Sequence, residues 1–219
     1  MDLAERFESA VARCPVVGIF RWPEPVDVVP VVRALGAGGL GLVEVTMNTP
    51  GVCESIRAVR KARTDEDTGL IGAGTVLDVE SAERAVEAGA EFLVTPTTEL
   101  PVVQWAVERG VPVLPGAFTP SEALAAWRAG ATAVKVFPAE DLGPRYIGNV
   151  LAPLDMLRLV PTGHLTLDDL PDYFRAGATA VGVGGTMIDP DLVRRGDWEG
   201  LTERAKVWCE AANLARGHQ

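Results

Sequence analysis

The chain is poor in the residues that bind metals and cross-link small folds. Its 219 residues include two histidines and three cysteines. Cys14, Cys53 and Cys209 are odd in number, far apart and in no zinc or redox spacing. A disulfide framework is therefore not expected, and each reads as an ordinary buried or half-buried thiol. No cluster of His, Cys and carboxylates has metal-ligand spacing, so no metal or other cofactor is expected. The sequence has no run of about 18 apolar residues, which argues against a transmembrane helix. Its first residues, Met1-Asp2-Leu3-Ala4-Glu5-Arg6-Phe7, lack the basic-then-apolar order of a signal peptide. The expected compartment is the cytoplasm. Positive charge is also short: 20 Lys and Arg stand against 30 Asp and Glu, a formal net charge of −10. No basic surface stands out for a nucleic acid or an anionic membrane. An anionic small molecule would need local donors, such as backbone N–H groups and a few arginines. No linker or low-complexity segment is visible, so residues 1–219 are expected to form a single domain.

Apolar material is plentiful, at 47% of residues. Apolar runs of strand length occupy 15–20, 40–46, 70–76, 91–95, 111–114, 133–137, 157–160 and 179–183. Helical patterns alternate with them at 28–35, 50–63, 79–88, 100–109, 120–129, 144–151, 167–176 and 201–214, with a short amphipathic helix at 3–13 in front. Strands that read as continuous apolar runs are covered on both faces, as in parallel sheets. Strict strand–helix alternation over this length predicts an α/β fold, a (β/α)₈ TIM barrel with a short N-terminal helix. A weak repeat supports this reading. Ala88-Gly89-Ala90, Ala129-Gly130-Ala131 and Ala176-Gly177-Ala178 each stand between a helix and a strand. A glycine there ends the helix in the left-handed conformation. These loops mark the bottom of the barrel, which leaves the other strand ends as the catalytic face. Trp105, Trp127, Trp198 and Trp208 fall on or near helical patterns and read as packing. His218 stands in the tail and is expected to be disordered.

The stretch Ala133-Val134-Lys135-Val136-Phe137-Pro138 carries the first chemical signal. Lysine is almost never fully buried unless it is paired or has a job. A desolvated amine has a lowered pKa and can attack a carbonyl carbon when neutral. The alternative is a strand-end lysine that snorkels to solvent or pairs with a buried acid. Glu44 interrupts the second apolar run. Counted along the chain, Glu44 and Lys135 fall on the second and sixth strands, whose inward side chains can share a barrel layer. Together they could be a general acid/base beside a nucleophile, or an ion pair without chemistry. Pro161-Thr162-Gly163 and Gly184-Gly185-Thr186 end the seventh and eighth strands, where barrels commonly hold phosphate on backbone N–H groups. They could equally be plain turns. Arg21, at the exit of the first strand, is a candidate carboxylate clamp or a solvated loop residue. Thr75 could donate to the same carboxylate or bond to backbone.

The ordered motifs Val43-Glu44-Val45-Thr46, Ile71-Gly72-Ala73-Gly74-Thr75-Val76, Val94-Thr95-Pro96, Pro115-Gly116, Val134-Lys135-Val136-Phe137-Pro138 and Pro161-Thr162-Gly163 resemble a known family. It comprises the class I aldolases of 2-keto-3-deoxy-6-phosphogluconate (KDPG) and 4-hydroxy-2-oxoglutarate (KHG). The resemblance implies a (β/α)₈ barrel, a homotrimer and a small-molecule 2-oxo acid substrate. It implies a Schiff base on Lys135, with Glu44 as general acid/base. Arg21, Thr75 and the main chain near Pro96 would hold the pyruvyl carboxylate, with Phe137 packed beside it. Gly163, Gly184, Gly185 and Thr186 would hold phosphate. Two positions depart from the KDPG pattern. Asn48, in Met47-Asn48-Thr49-Pro50, stands where those enzymes have Arg; this and Gly143-Pro144-Arg145-Tyr146-Ile147 resemble the branch acting on the galactonate epimer. His164 replaces the second glycine of Pro-Thr-Gly-Gly, keeping the N–H but adding a side chain at the phosphate position.

Overall fold

The computed structural model describes residues 1–64 and 69–217. Among these residues nine strands form one all-parallel sheet: β1 (Val16–Phe20), β2 (Leu42–Thr46), β3 (Leu70–Gly74), β4 (Leu93–Val94), β5 (Val113–Leu114), β6 (Gly116–Ala117), β7 (Val134–Val136), β8 (Leu159–Gly163) and β9 (Val181–Val183). The spatial order is β5-β4-β3-β2-β1-β9-β8-β7-β6. The two outermost strands, β5 and β6, flank Pro115 and are halves of one chain crossing. The sheet therefore curls into a nearly closed eight-crossing barrel, which leaves little open edge. The expected strand stops at 114, before Pro115. Instead its carbonyl accepts from Lys135 N–H at 2.9 Å, and Gly116 then pairs in register with Lys135. Proline lacks a donor but not an acceptor, so the ladder passes through it.

Among the described residues ten helices accompany the sheet: α1 (Leu3–Arg13), α2 (Val28–Ala37), α3 (Val52–Ala62), α4 (Val79–Glu87), α5 (Leu100–Glu108), α6 (Pro120–Arg128), α7 (Pro144–Leu151), α8 (Leu170–Arg175), α9 (Pro190–Arg195) and α10 (Trp198–Arg216). The expected helix at 167–176 opens as a 3₁₀ turn, Leu167–Asp169, before α8. Helix α9 was not expected from the sequence. It is six residues long, begins at Pro190 and is capped by the Asp189 side chain, which accepts from Asp191 N–H. Strand β8 runs through Pro161 to Gly163, three residues past its expected end. The three repeat glycines have φ of +104° at Gly89, +97° at Gly130 and +98° at Gly177, as the helix-ending role requires.

The main core lies between sheet and helices. A second apolar cluster fills the lower barrel, where Phe7, Ala10 and Val11 of α1 meet Leu42, Leu70 and Phe92. Beside it Glu91 is buried and accepts from Arg6 at 2.7 Å, Arg60 at 2.6 Å, Arg63 at 2.7 Å and Ile71 N–H at 3.1 Å. A buried carboxylate held on several charge-assisted bonds ties α1 and α3 to this end of the barrel. Cys14 and Cys209 are not separate thiols. They form a disulfide with a Cα–Cα distance of 5.2 Å across a sequence separation of 195, joining the end of α1 to α10. Cys53 is a half-buried free thiol. Trp208 is buried, and Trp105, Trp127 and Trp198 pack partly buried on the main core. Among the described residues no helix is long and apolar enough to cross a membrane. His218 lies outside the described residues.

Candidate active site

The C-terminal strand ends surround a cleft of about 250 Å³. Arg21, Lys135, Phe137, Gly163, His164, Gly184, Gly185 and Thr186 line it. A much smaller cavity lies deeper in the barrel, lined by Glu44, Val94, Leu114 and Val160 among others. Ile19, Lys135 and Thr162 line both spaces. Lys135 thus stands where the cleft meets the barrel interior, with Glu44 in the cavity next to it.

Both ionisable groups are almost dry: Lys135 is 7% exposed and Glu44 1%. Burial pushes the Lys135 amine below its ordinary pKa; Glu44 opposes that shift and Arg21 adds to it. Burial pushes the Glu44 carboxyl above its ordinary value, against the pull of Lys135 and Arg21. Glu44 Oε2 has no hydrogen-bond partner among the described residues. An unpartnered buried carboxylate oxygen is costly to keep, which marks a site more than a stabilising contact. Gly74 makes room for this group, since a Cβ at that position would land on the Glu44 carboxylate. The glycine of Gly-Ala-Gly-Thr is therefore a matter of close approach. Phe137 caps the amine, its ring centroid 4.9 Å from Lys135 Nζ.

Arg21 is exposed at the rim and donates to Thr75 Oγ1 at 3.3 Å. Thr75 is held at φ +56°, a left-handed conformation that costs a non-glycine residue about 1–2 kcal/mol. Such strain clusters at functional sites. Pro96 lines neither space; its carbonyl packs where a Cβ on Gly116 would stand. Asn48 lines a separate open cavity with Arg57 and Arg84. At the far rim, Thr186 Oγ1 is buried without a hydrogen-bond partner among the described residues.

Glu140, which the sequence reading passed over, also belongs to this rim. His164 Nδ1 is 2.9 Å from Glu140 Oε1, and the His164 side chain is 89% exposed. Burial raises the Glu140 carboxyl, but bonds from the His164 side chain and the Glu140 and His164 N–H groups outweigh it and hold the group below its usual range. A Cβ on Gly163 would strike this carboxylate. The available signal was position alone, two residues past the lysine strand's terminal proline. A larger cavity of about 420 Å³ opens at the other end of the barrel. Its Arg63 is engaged by Glu91 and its Arg33 by the Ala62 carbonyl, so its guanidinium groups already serve the fold.

Residues 7–204 match the sequence profile of the KDPG and KHG aldolases. The chain belongs to this aldolase family. It is 38% identical over 206 residues to the 2-dehydro-3-deoxy-phosphogluconate aldolase of Pseudomonas aeruginosa, covering 93% of this chain and 90% of that one. It is 35% identical over 185 residues to the 2-dehydro-3-deoxy-6-phosphogalactonate aldolase of Escherichia coli, covering 84% and 87%. Among solved structures, the KDPG aldolase of Legionella pneumophila, with pyruvate captured as a covalent carbinolamine, superposes with a TM-score of 0.83 at 25% identity, covering 95% of this chain and 98% of that one. The aldolase family therefore includes both the gluconate and the galactonate branches among this chain's relatives, and both are carbon–carbon lyases acting on small molecules.

Proposed function

We propose that Lys135 is the Schiff-base lysine of a class I aldolase and Glu44 its general acid/base. The observation that carries the reading is the dry amine at the cleft floor beside a dry carboxylate with a free oxygen. The neutral amine attacks the keto carbon of a 2-oxo acid, and loss of water from the carbinolamine gives an iminium. Glu44 takes the proton of the C4 hydroxyl as the C3–C4 bond breaks. The bond electrons flow to the iminium and leave an enamine, while the distal fragment departs as an aldehyde. Protonation at C3 and hydrolysis then release pyruvate and restore the amine. Arg21, braced by Thr75, holds the pyruvyl carboxylate, and Phe137 shields the amine from water. Pro96 contributes main chain at one remove, through its packing on Gly116. Preorganisation and desolvation are the main contributions of the fold.

The substrate is a 2-keto-3-deoxy-6-phospho sugar acid, with 4-hydroxy-2-oxoglutarate as a shorter alternative; the aldehydes are glyceraldehyde 3-phosphate and glyoxylate. The unpartnered Thr186 hydroxyl, with Gly163, Gly184 and Gly185 around it, favours a distal phosphate. We read residues 1–219 as one domain of a homotrimer, whose Cys14–Cys209 disulfide removes the thiol argument for the cytoplasm. The unbroken sheet supports the first, and the exposed Leu77 and Phe118 at strand exits support contacts between copies. Light scattering tests the trimer. Steady-state release of pyruvate tests the activity: cleavage of both substrates is expected, and no turnover by Lys135→Ala. Cleavage by Lys135→Ala at the wild-type rate would refute the assignment.

A further inference from the structure

Arg204 lies on α10, outside the cleft, and no motif in the sequence points to it. Its side chain reaches back to the turn that follows β9. Nε donates to the Met187 carbonyl at 3.1 Å, and a terminal N–H donates to the Thr186 carbonyl. Nη1 stands 4.0 Å from Asp189 Oδ2, the carboxylate that caps α9. From inside, the same turn is closed by Met187 N–H and Ile188 N–H, which both donate to the Gly184 carbonyl at 3.0 and 2.8 Å. The planes of the 186–187 and 187–188 peptides are thus gripped from both sides. Gly184 and Gly185 precede them without side chains to stiffen the backbone, and a Cβ on Gly185 would meet nothing within 4 Å. Two consecutive glycines, the second in open space, would otherwise leave the turn free to rotate.

We infer that Arg204 is the positioning residue of the distal anion turn, fixing Gly185 and Thr186 so that their polar groups point into the cleft. It does not itself line the cleft. It acts through two carbonyls. Planar guanidinium matches this task, since one rigid fork spans both oxygens where an ammonium would hold one. The assignment rests on the phosphate reading of the Thr186 turn given above.

The test compares wild type, Arg204→Met and Arg204→Lys on a phosphorylated 2-keto-3-deoxy sugar acid and on 4-hydroxy-2-oxoglutarate, with inorganic phosphate as inhibitor. In Arg204→Met the KM for the phosphorylated substrate and the inhibition constant for phosphate are expected to rise about tenfold, the worth of one turn-to-phosphate hydrogen bond that is no longer aimed, while kcat for that substrate falls far less. Arg204→Lys should fall between the two, and it supplies the reading if the methionine variant does not fold. If wild type prefers the phosphorylated acid and both variants keep that preference, Arg204 has no positioning role. If kcat/KM for both substrates drops by one factor with phosphate inhibition unchanged, the residue only supports the fold and the inference fails. If wild type shows neither a phosphate preference nor phosphate inhibition, the phosphate reading itself falls and the inference with it; that outcome is visible before any variant is made.

Discussion

Lys135 and Glu44 face one small cavity from β7 and β2, and burial works on both in the direction of neutrality. Each also draws the other toward its charged form. A pair balanced in this way can pass a proton at little cost, which an exposed pair, already fully ionised, does with more difficulty.

Glu44→Gln tests the carboxylate half of the pair. Glutamine is near in size and cannot take a proton. A loss of about 10²–10⁴ in kcat with the fold retained is expected, measured by pyruvate release and circular dichroism. Activity within a few-fold of wild type would make Glu44 a structural partner of the lysine.

The same variant tests the electrostatics. The Glu44 charge raises the pKa of Lys135 against the dominant effect of burial. Removing that charge must therefore lower the lysine pKa further, and the amine becomes neutral at lower pH. The pH midpoint for modification of Lys135 by an amine-reactive reagent is expected to move down in Glu44→Gln. An upward move would reverse the sign of the coupling.

Much of this site was legible because its residues break local rules. A lysine inside an apolar strand and a glutamate inside another are conspicuous, since burying either costs free energy that packing does not return. The repeated Ala-Gly-Ala marked the bottom of the barrel because only glycine tolerates the backbone it needs there. The Cys14–Cys209 disulfide left no such trace, as spacing along the chain carries no information about a contact between the two ends of the fold. Glu140 was hidden for another reason: a glutamate in a short loop is ordinary until the fold lays it over Gly163 and beside His164. The run that reads as ending at 114 continues because Pro115 lacks a donor but keeps its acceptor. The Glu91 cluster was equally silent, its three arginines arriving from two helices and the loop after one of them.

His164 is the departure that bears on substrate choice. Its ring turns outward to Glu140 and does not fill the cleft. The kcat/KM for a phosphorylated 2-keto-3-deoxy sugar acid is expected to stand well above that for 4-hydroxy-2-oxoglutarate, and Thr186→Val should lower the ratio. His164→Gly removes an exposed pair and should move the ratio by no more than about fivefold. A ratio near or below one, unmoved by Thr186→Val and altered by His164→Gly, would mean the cleft serves unphosphorylated acids.

The covalent role of Lys135 can be seen without any assumption about the physiological substrate. Pyruvate is the fragment common to all the proposed reactions, and borohydride reduces its imine to a stable amine. Incubation of the intact protein with pyruvate and borohydride near neutral pH, followed by peptide mass spectrometry, is expected to place one reduced pyruvyl adduct on Lys135 and none in Lys135→Ala. An unmodified Lys135 at saturating pyruvate, or an adduct on another lysine, would contradict the Schiff-base assignment.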